Sequence, residues 1–218
     1  MNMKQNSMLQ SIFSKRVLVY CIGILILACG ITLNTKTKLG VSPVISVAYN
    51  IAQILHTPLG VTTFVYYAFL ILLQFLLLPK EFSLFQCGQI ICAFLTSAFI
   101  QLFDLALPSP DGMLPRLILL AIAIFLTGLG ASITVGMKLV PNPADALANI
   151  IGKKVGRDLG LGKNILDASC IILAVILGLV FSGSLLGIGI GTAVSVVFTG
   201  RVMALVQGFT NRLYEKVQ

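Results

Sequence analysis

Apolar runs long enough to cross a hydrocarbon core, about 20 helical residues each, recur along the chain at 17–35, 61–78, 84–105, 117–137, 165–181 and 185–205. Between the first and second of these, and again between the fourth and fifth, lie shorter segments at 43–55 and 143–155. Each opens as a helix opens. Ser42 and Asn142 are good N-cap residues, Pro43 and Pro143 stand where a first-turn proline is favourable, and Asp145 falls in the first turn, where a carboxylate complements the helix dipole. At about 1.5 Å per residue these helices reach only about 20 Å, too short to span. They must lie at the interface, pack inside the protein, or re-enter the membrane. The pattern predicts an all-α, polytopic membrane protein with six transmembrane helices plus two short ones.

The chain also repeats itself. When Arg16 is set against Arg116, Ile22 meets Ile122, Ile24 meets Ile124, Gly30 meets Gly130, Lys38-Leu39 meets Lys138-Leu139, Pro43 meets Pro143, Ala48 meets Ala148 and Ile51 meets Ile151, without a gap. Chance pairing of aliphatic residues does not account for matches at Arg, Lys, Gly and Pro. Past a small insertion, Gly88, Cys92 and Thr96 meet Gly191, Ser195 and Thr199, small residues at every fourth position that let another helix backbone approach closely. Gly183 and Gly187 extend this stripe upstream in the second copy. Each half, 16–107 and 116–207, reads as span, short helix, span, span. Three spans is an odd number, so two such units in one chain have opposite orientations. The expected architecture is an inverted 3+3 repeat, a plan that recurs in secondary transporters.

Composition agrees with lipid as the solvent. Of 218 residues, 57% are hydrophobic and 10% charged, against about 25% charged in soluble domains, and the mean hydropathy is +1.01. The net charge of +8 would raise nucleic acid as a partner in a soluble protein, but here the basic residues sit at segment ends and set topology instead. With the N-terminus inside, Lys4, Lys15, Arg16, Lys80, Lys138, Lys153, Lys154, Arg157, Lys163, Arg212 and Lys216 fall on the cytoplasmic side, against Lys36, Lys38 and Arg116 outside. Both termini, 1–15 and 208–218, are therefore expected in the cytoplasm. The first span is not a cleaved leader: it runs on past Cys29, no small-residue cleavage signature follows, and it has a counterpart later in the chain.

Lys38-Leu39-Gly40-Val41-Ser42-Pro43, Asn142-Pro143-Ala144-Asp145, Asp167 in the fifth span and Gly187-Ile188-Gly189-Ile190-Gly191-Thr192 opening the sixth resemble the YczE/YyaS/YitT family of bacterial membrane proteins over nearly the whole membrane region. The chain differs from longer YitT-type members, which carry a soluble C-terminal domain, since it ends soon after the last span. The resemblance implies a bacterial inner-membrane location and supplies no substrate.

Candidate chemistry is sparse. Asp167 and Arg201 are the charges placed deepest by the spans, a costly position that makes function the default hypothesis; they are expected to approach each other, either as a structural ion pair or along a substrate path. Asp145 reads as a helix-start carboxylate ahead of a ligand group. Asn34, Asn50 and Asn149 either line a polar path or bond to backbone. Gly187-x-Gly189-x-Gly191 has no βαβ unit around it and is no phosphate loop; it serves helix packing or a glycine-permitted break. His56, before Thr57-Pro58, reads as a turn residue, and Cys21, Cys29, Cys87, Cys92 and Cys170 as small hydrophobes. No Ser-His-Asp set, paired carboxylates or metal-ligand spacing is present in the sequence, so no catalytic role, metal or cofactor is expected.

Two functions follow. One is a small-molecule transporter or permease whose site lies between the halves, facing the helix starts at Pro43 and Pro143. The other is a non-transporting scaffold or regulatory protein that docks a partner through the small-residue faces. Small-residue stripes packed inside the chain around a polar cavity favour the first, and stripes facing lipid with no cavity favour the second. Lipid is a contact in either case, and nucleic acid in neither.

Overall fold

The computed structural model describes residues 3–79 and 84–217, with their side chains except at 3–14, 84, 85 and 87. Lys80 and the side chains of Lys4 and Cys87 thus lie outside the described residues. Among these, every regular element is a helix: α1 (Met3–Lys36), α2 (Pro43–Leu55), α3 (Leu59–Leu77), α4 (Leu84–Ala106), α5 (Met113–Gly136), α6 (Pro143–Lys154), α7 (Leu159–Ser182) and α8 (Ile190–Val217). All but the two short helices α2 and α6 contain a stretch long and apolar enough to cross a membrane. Large apolar side chains stand exposed on these spans, among them Leu18, Val65, Ile91, Ile172, Phe181 and Leu205. Water would penalise such a surface and hydrocarbon does not.

The centre of the bundle is the crossing of α1 and α5. A Cβ on Gly30 would come within 2.4 Å of the Thr127 backbone nitrogen and 2.9 Å of the Ala123 carbonyl oxygen, and one on Gly130 within 2.4 Å of the Leu27 nitrogen and 2.8 Å of the Gly23 oxygen. Backbone therefore rests on backbone, and any side chain at either glycine would push the helices apart. The two helices run antiparallel, because Gly23 lies against Ile133 and Thr134 while Gly30 lies against Ala123 and Thr127.

The other helices are arranged around this pair. α4 runs alongside α1 in the same direction, with Thr32 near Ile100 and, at their shared end, the Lys36 ammonium 2.8 Å from the Asp104 carboxylate. α8 lies along α5, Gly128 against Val202 and the Ser132 hydroxyl 3.1 Å from that of Thr210. α3 packs on α4, where the fully buried Gln74 and Gln89 exchange amide hydrogen bonds of 3.0 and 2.9 Å, and Gln74 also donates to the Pro143 carbonyl. α2 is held between α3 and α7, and α6 between α7 and α3, whereas α7 and α8 do not pack along their lengths. The basic residues Arg16 and Lys138 meet at the end of the bundle opposite Lys36, both over the Tyr214 ring, at 5.1 and 4.8 Å.

Three boundaries differ from the sequence expectation. α1 starts at Met3, since nothing before Val17 breaks a helix. α7 starts at Leu159 because Asp158 caps it, its carboxylate accepting the Leu161 N–H at 3.1 Å. α8 starts only at Ile190 and runs on to Val217. The expectation that Gly183 and Gly187 continue a packing stripe on this helix is therefore corrected. Gly183 ends α7 in the left-handed region (φ 63°), and Gly187 (φ 66°) sits in the connecting segment against the Tyr49 ring.

Candidate functional site

The short helices owe their position to the turns that precede them. Lys38 and Lys138 occupy corresponding places and both adopt positive φ, 56° and 50°. The chain leaves α1 and α5 there and doubles back into the protein. The segment before α2 is pinned to the start of α8: the Val41 N–H donates to the Gly187 carbonyl at 2.8 Å, and the Gly191 N–H to that of Leu39 at 2.7 Å. The segment before α6 is pinned to α1 and α3, with the Tyr20 hydroxyl on the Val140 carbonyl at 2.7 Å and Gln74 on that of Pro143 at 3.1 Å.

As a result α2 and α6 present their first turns to one cavity of about 290 Å³. Ser42, Pro43, Val44 and Ile45 border it from one side, and Asn142, Ala144 and Asp145 from another; Leu27, Ile31, Thr127 and Ala131 close it on α1 and α5. Lys163, Asn164 and Asp167 come from α7, and Ser195, Thr199 and Met203 from α8. The exposed rim residues Gly160 and Asn164 on α7, and Val196 and Gly200 on α8, show that the cavity opens between these two helices.

The two helix starts are satisfied differently. At α6 the Asn142 side chain accepts the Ala144 N–H at 3.0 Å, and Asp145 sits in the first turn with the Lys163 ammonium 3.4 Å from its carboxylate. At α2 the Ser42 side chain makes no capping bond, no acidic residue occupies the first turn, and Pro43 has no N–H to offer. The N–H groups of Val44 and Ile45 are first-turn donors that a helix leaves without an internal acceptor. Asp167 stands one helical turn beyond Lys163, only 8% exposed, and makes no hydrogen bond or ion pair among the described residues.

The expected approach of Asp167 to Arg201 does not occur. Arg201 is exposed, its guanidinium 5.5 Å from the Phe198 ring centroid, and Asp167 has Lys163 and Asp145 as its charged neighbours. The helical period explains this: Ser195, Thr199 and Met203 share the cavity face of α8, and a residue two positions past Thr199 is rotated by about 200° away from it. Of the other candidates, Ser42, Asn142 and Asp145 border the cavity, as do Ser195 and Thr199. Asn50 is buried and donates to Leu186 and Ser46 carbonyls, tying α2 to the α7–α8 connection, while Asn149 is exposed on α6. Asn34 is buried and donates to Ser195 at 3.3 Å. Gly88 lies against Val140, Gly191 against Leu39 and Gly40; Cys92 packs with Tyr20 and Ile24, and Thr96 bonds back to the Cys92 carbonyl.

Sequence reasoning missed Lys163, counted as a cytoplasmic base, and Tyr67, Thr127 and Asn164. The spacing of Lys163 and Asp167, four residues apart and so on one helix face, was the signal for the first.

Six apolar spans around a cavity bordered by the middle turns of α1 and α5 define a polytopic integral membrane protein. The chain belongs to the family of unknown function DUF6198, whose model matches residues 14–208. It is similar to the uncharacterized protein YyaS of Bacillus subtilis (strain 168), 28% identical over 191 residues that cover 86% of this chain and 90% of that one. It is also similar to the uncharacterized membrane protein YczE of the same organism, 26% identical over 190 residues, 84% of this chain and 81% of that one. No solved structure matches the chain. The kinship read from the loop and helix-start motifs thus holds for YyaS and YczE.

Proposed function

We propose that the chain is a small-molecule transporter or permease of the bacterial inner membrane, an inverted 3+3 repeat with its substrate site in the cavity between the halves and both termini in the cytoplasm. The observation that carries this reading is the convergence of two short-helix starts, from corresponding places in the two halves, on one cavity whose largely apolar wall also carries Asp145, Lys163 and Asp167. Half-helix starts around a site at mid-depth are how transporters of this plan bind polar solutes.

The packing supports the inversion. Gly30 and Gly130 make the same contacts on each other's helices, α1 and α5 are antiparallel, and Lys38 and Lys138 share an unusual backbone conformation. The helix partnerships also match in pairs: α1 with α4 as α5 with α8, α2 with α3 as α6 with α7, and α2 with α7 as α6 with α3. The small residues Gly88, Cys92 and Gly191 lie against this chain's own elements, which favours transport over a docking scaffold. In this reading the chain carries out no covalent chemistry. The test is counterflow: vesicles reconstituted with the purified protein and preloaded with a metabolite panel are expected to accumulate at least one labelled solute, and a panel without any uptake above empty vesicles overturns the proposal.

A further inference from the structure

The cavity has two poles that the protein leaves unmatched. The positive one is the start of α2, with free first-turn N–H groups at Val44 and Ile45 and no acid or side-chain cap to neutralise it. The negative one is Asp167, nine-tenths buried, bordering the same cavity with no hydrogen-bond donor among the described residues. Lys163 is the neighbouring cation, but its ammonium makes its ion pair with Asp145, at 3.4 Å, rather than with Asp167, and the α6 start is already satisfied by Asn142 and Asp145. A buried carboxylate without a partner is expensive, and so is an orphaned helix start.

We infer that the cavity takes a small zwitterion of amino-acid type, its carboxylate against the first turn of α2 and its ammonium against Asp167. The inference rests on the transporter reading for its choice of site and adds the class of solute. A simple anion would satisfy α2 but leave Asp167 unpaired and repelling it in a medium of low dielectric. A simple amine would satisfy Asp167 but leave the α2 donors empty. A zwitterion answers both and brings no net charge into the membrane interior. The volume of about 290 Å³ corresponds to roughly ten waters at ~30 Å³ each, room for a compact solute. Leu27, Ile31 and Met203 on its walls favour an apolar side chain.

The test is binding by the purified full-length chain, read as a concentration-dependent rise in Tm. The probes are the proteinogenic amino acids, led by leucine, methionine and phenylalanine, each compared with its decarboxylated amine and its deaminated acid. At least one amino acid is expected to stabilise the protein, and its amine and acid to do so far more weakly. Stabilisation by amines or acids alone, or by none of the probes, overturns the inference. Asp167→Asn should weaken binding of that amino acid by about 10- to 100-fold, the value of a charged hydrogen bond. Ser42→Asp puts a carboxylate where the solute's own would sit. It should leave the unliganded protein as stable or more so, as a better cap does, while abolishing amino-acid binding and creating binding of the matching amine. Unchanged amino-acid affinity in Ser42→Asp overturns the placement even if Asp167→Asn does not fold. Binding without counterflow leaves the class of solute standing and removes the transporter reading; counterflow of another solute with no amino-acid binding does the reverse.

Discussion

A buried glutamine must find acceptors and donors for its whole amide, and Gln74 and Gln89 solve this by facing each other, with the Pro143 carbonyl taking a further N–H. Gln74→Leu alone leaves the Gln89 amide and the Pro143 oxygen without partners, an expected cost of about 1–3 kcal/mol. Gln74→Leu with Gln89→Leu removes the stranded amide, so the double variant should be destabilised by less than the sum of the singles, by about 0.5–3 kcal/mol. Unfolding midpoints in mixed micelles measure this, and strict additivity would show that the exchange has no energetic weight. Neither glutamine stood out in the sequence, since a Gln inside an apolar run looks the same whether it faces a partner or a headgroup. Asp167 did stand out, as any carboxylate within a span does, but its neighbours did not. Arg201 matched it in depth and failed in azimuth, while Lys163, one turn away on the same face, looked like part of a basic loop.

At the scale of elements, hydropathy located all six spans and proline-led caps located both short helices to within a residue. It failed where polar residues enter a helix. α7 begins six residues before its apolar run because Asp158 caps it, ahead of the stretch that carries Lys163 and Asn164. Asp158→Ala should therefore cost about 0.5–2 kcal/mol, concentrated at one place: hydrogen exchange is expected to quicken at 159–163 and stay unchanged in the middle of α7. Exchange that quickens along the entire helix would mean that the cap fixes α7 as a unit. The sixth run departs from its helix for the opposite reason. Residues 185–189 are apolar and glycine-rich, so hydropathy extends the span through them, yet positive φ at Gly187 and the bonds from Val41 and Gly191 hold this stretch as a connection against the α2 turn.

The whole molecule has two chemically distinct ends, one with Arg16 and Lys138 gathered over Tyr214, the other with the Lys36–Asp104 pair. Lys38 and Lys138 are both exposed, at corresponding turns. In a cysteine-free background, Lys38→Cys is expected to react with an impermeant maleimide added to intact cells, and Lys138→Cys only after permeabilisation, as the surplus of basic residues around Lys138 requires. Labelling of both from one side would exclude the inverted arrangement. The correspondence of the halves is incomplete in one respect: α3 and α4 seal against each other through the glutamine pair, while α7 and α8 stand apart. In the transporter reading, an opening between α7 and α8 that faces outward from the bundle would leave acyl chains of the surrounding bilayer as the missing wall of the cavity. The dielectric felt by Asp167 and by the α2 start is then set partly by the lipid, and a loosely packed micelle that admits water there screens both poles. Were a solute bound there, thicker or more ordered bilayers should tighten it.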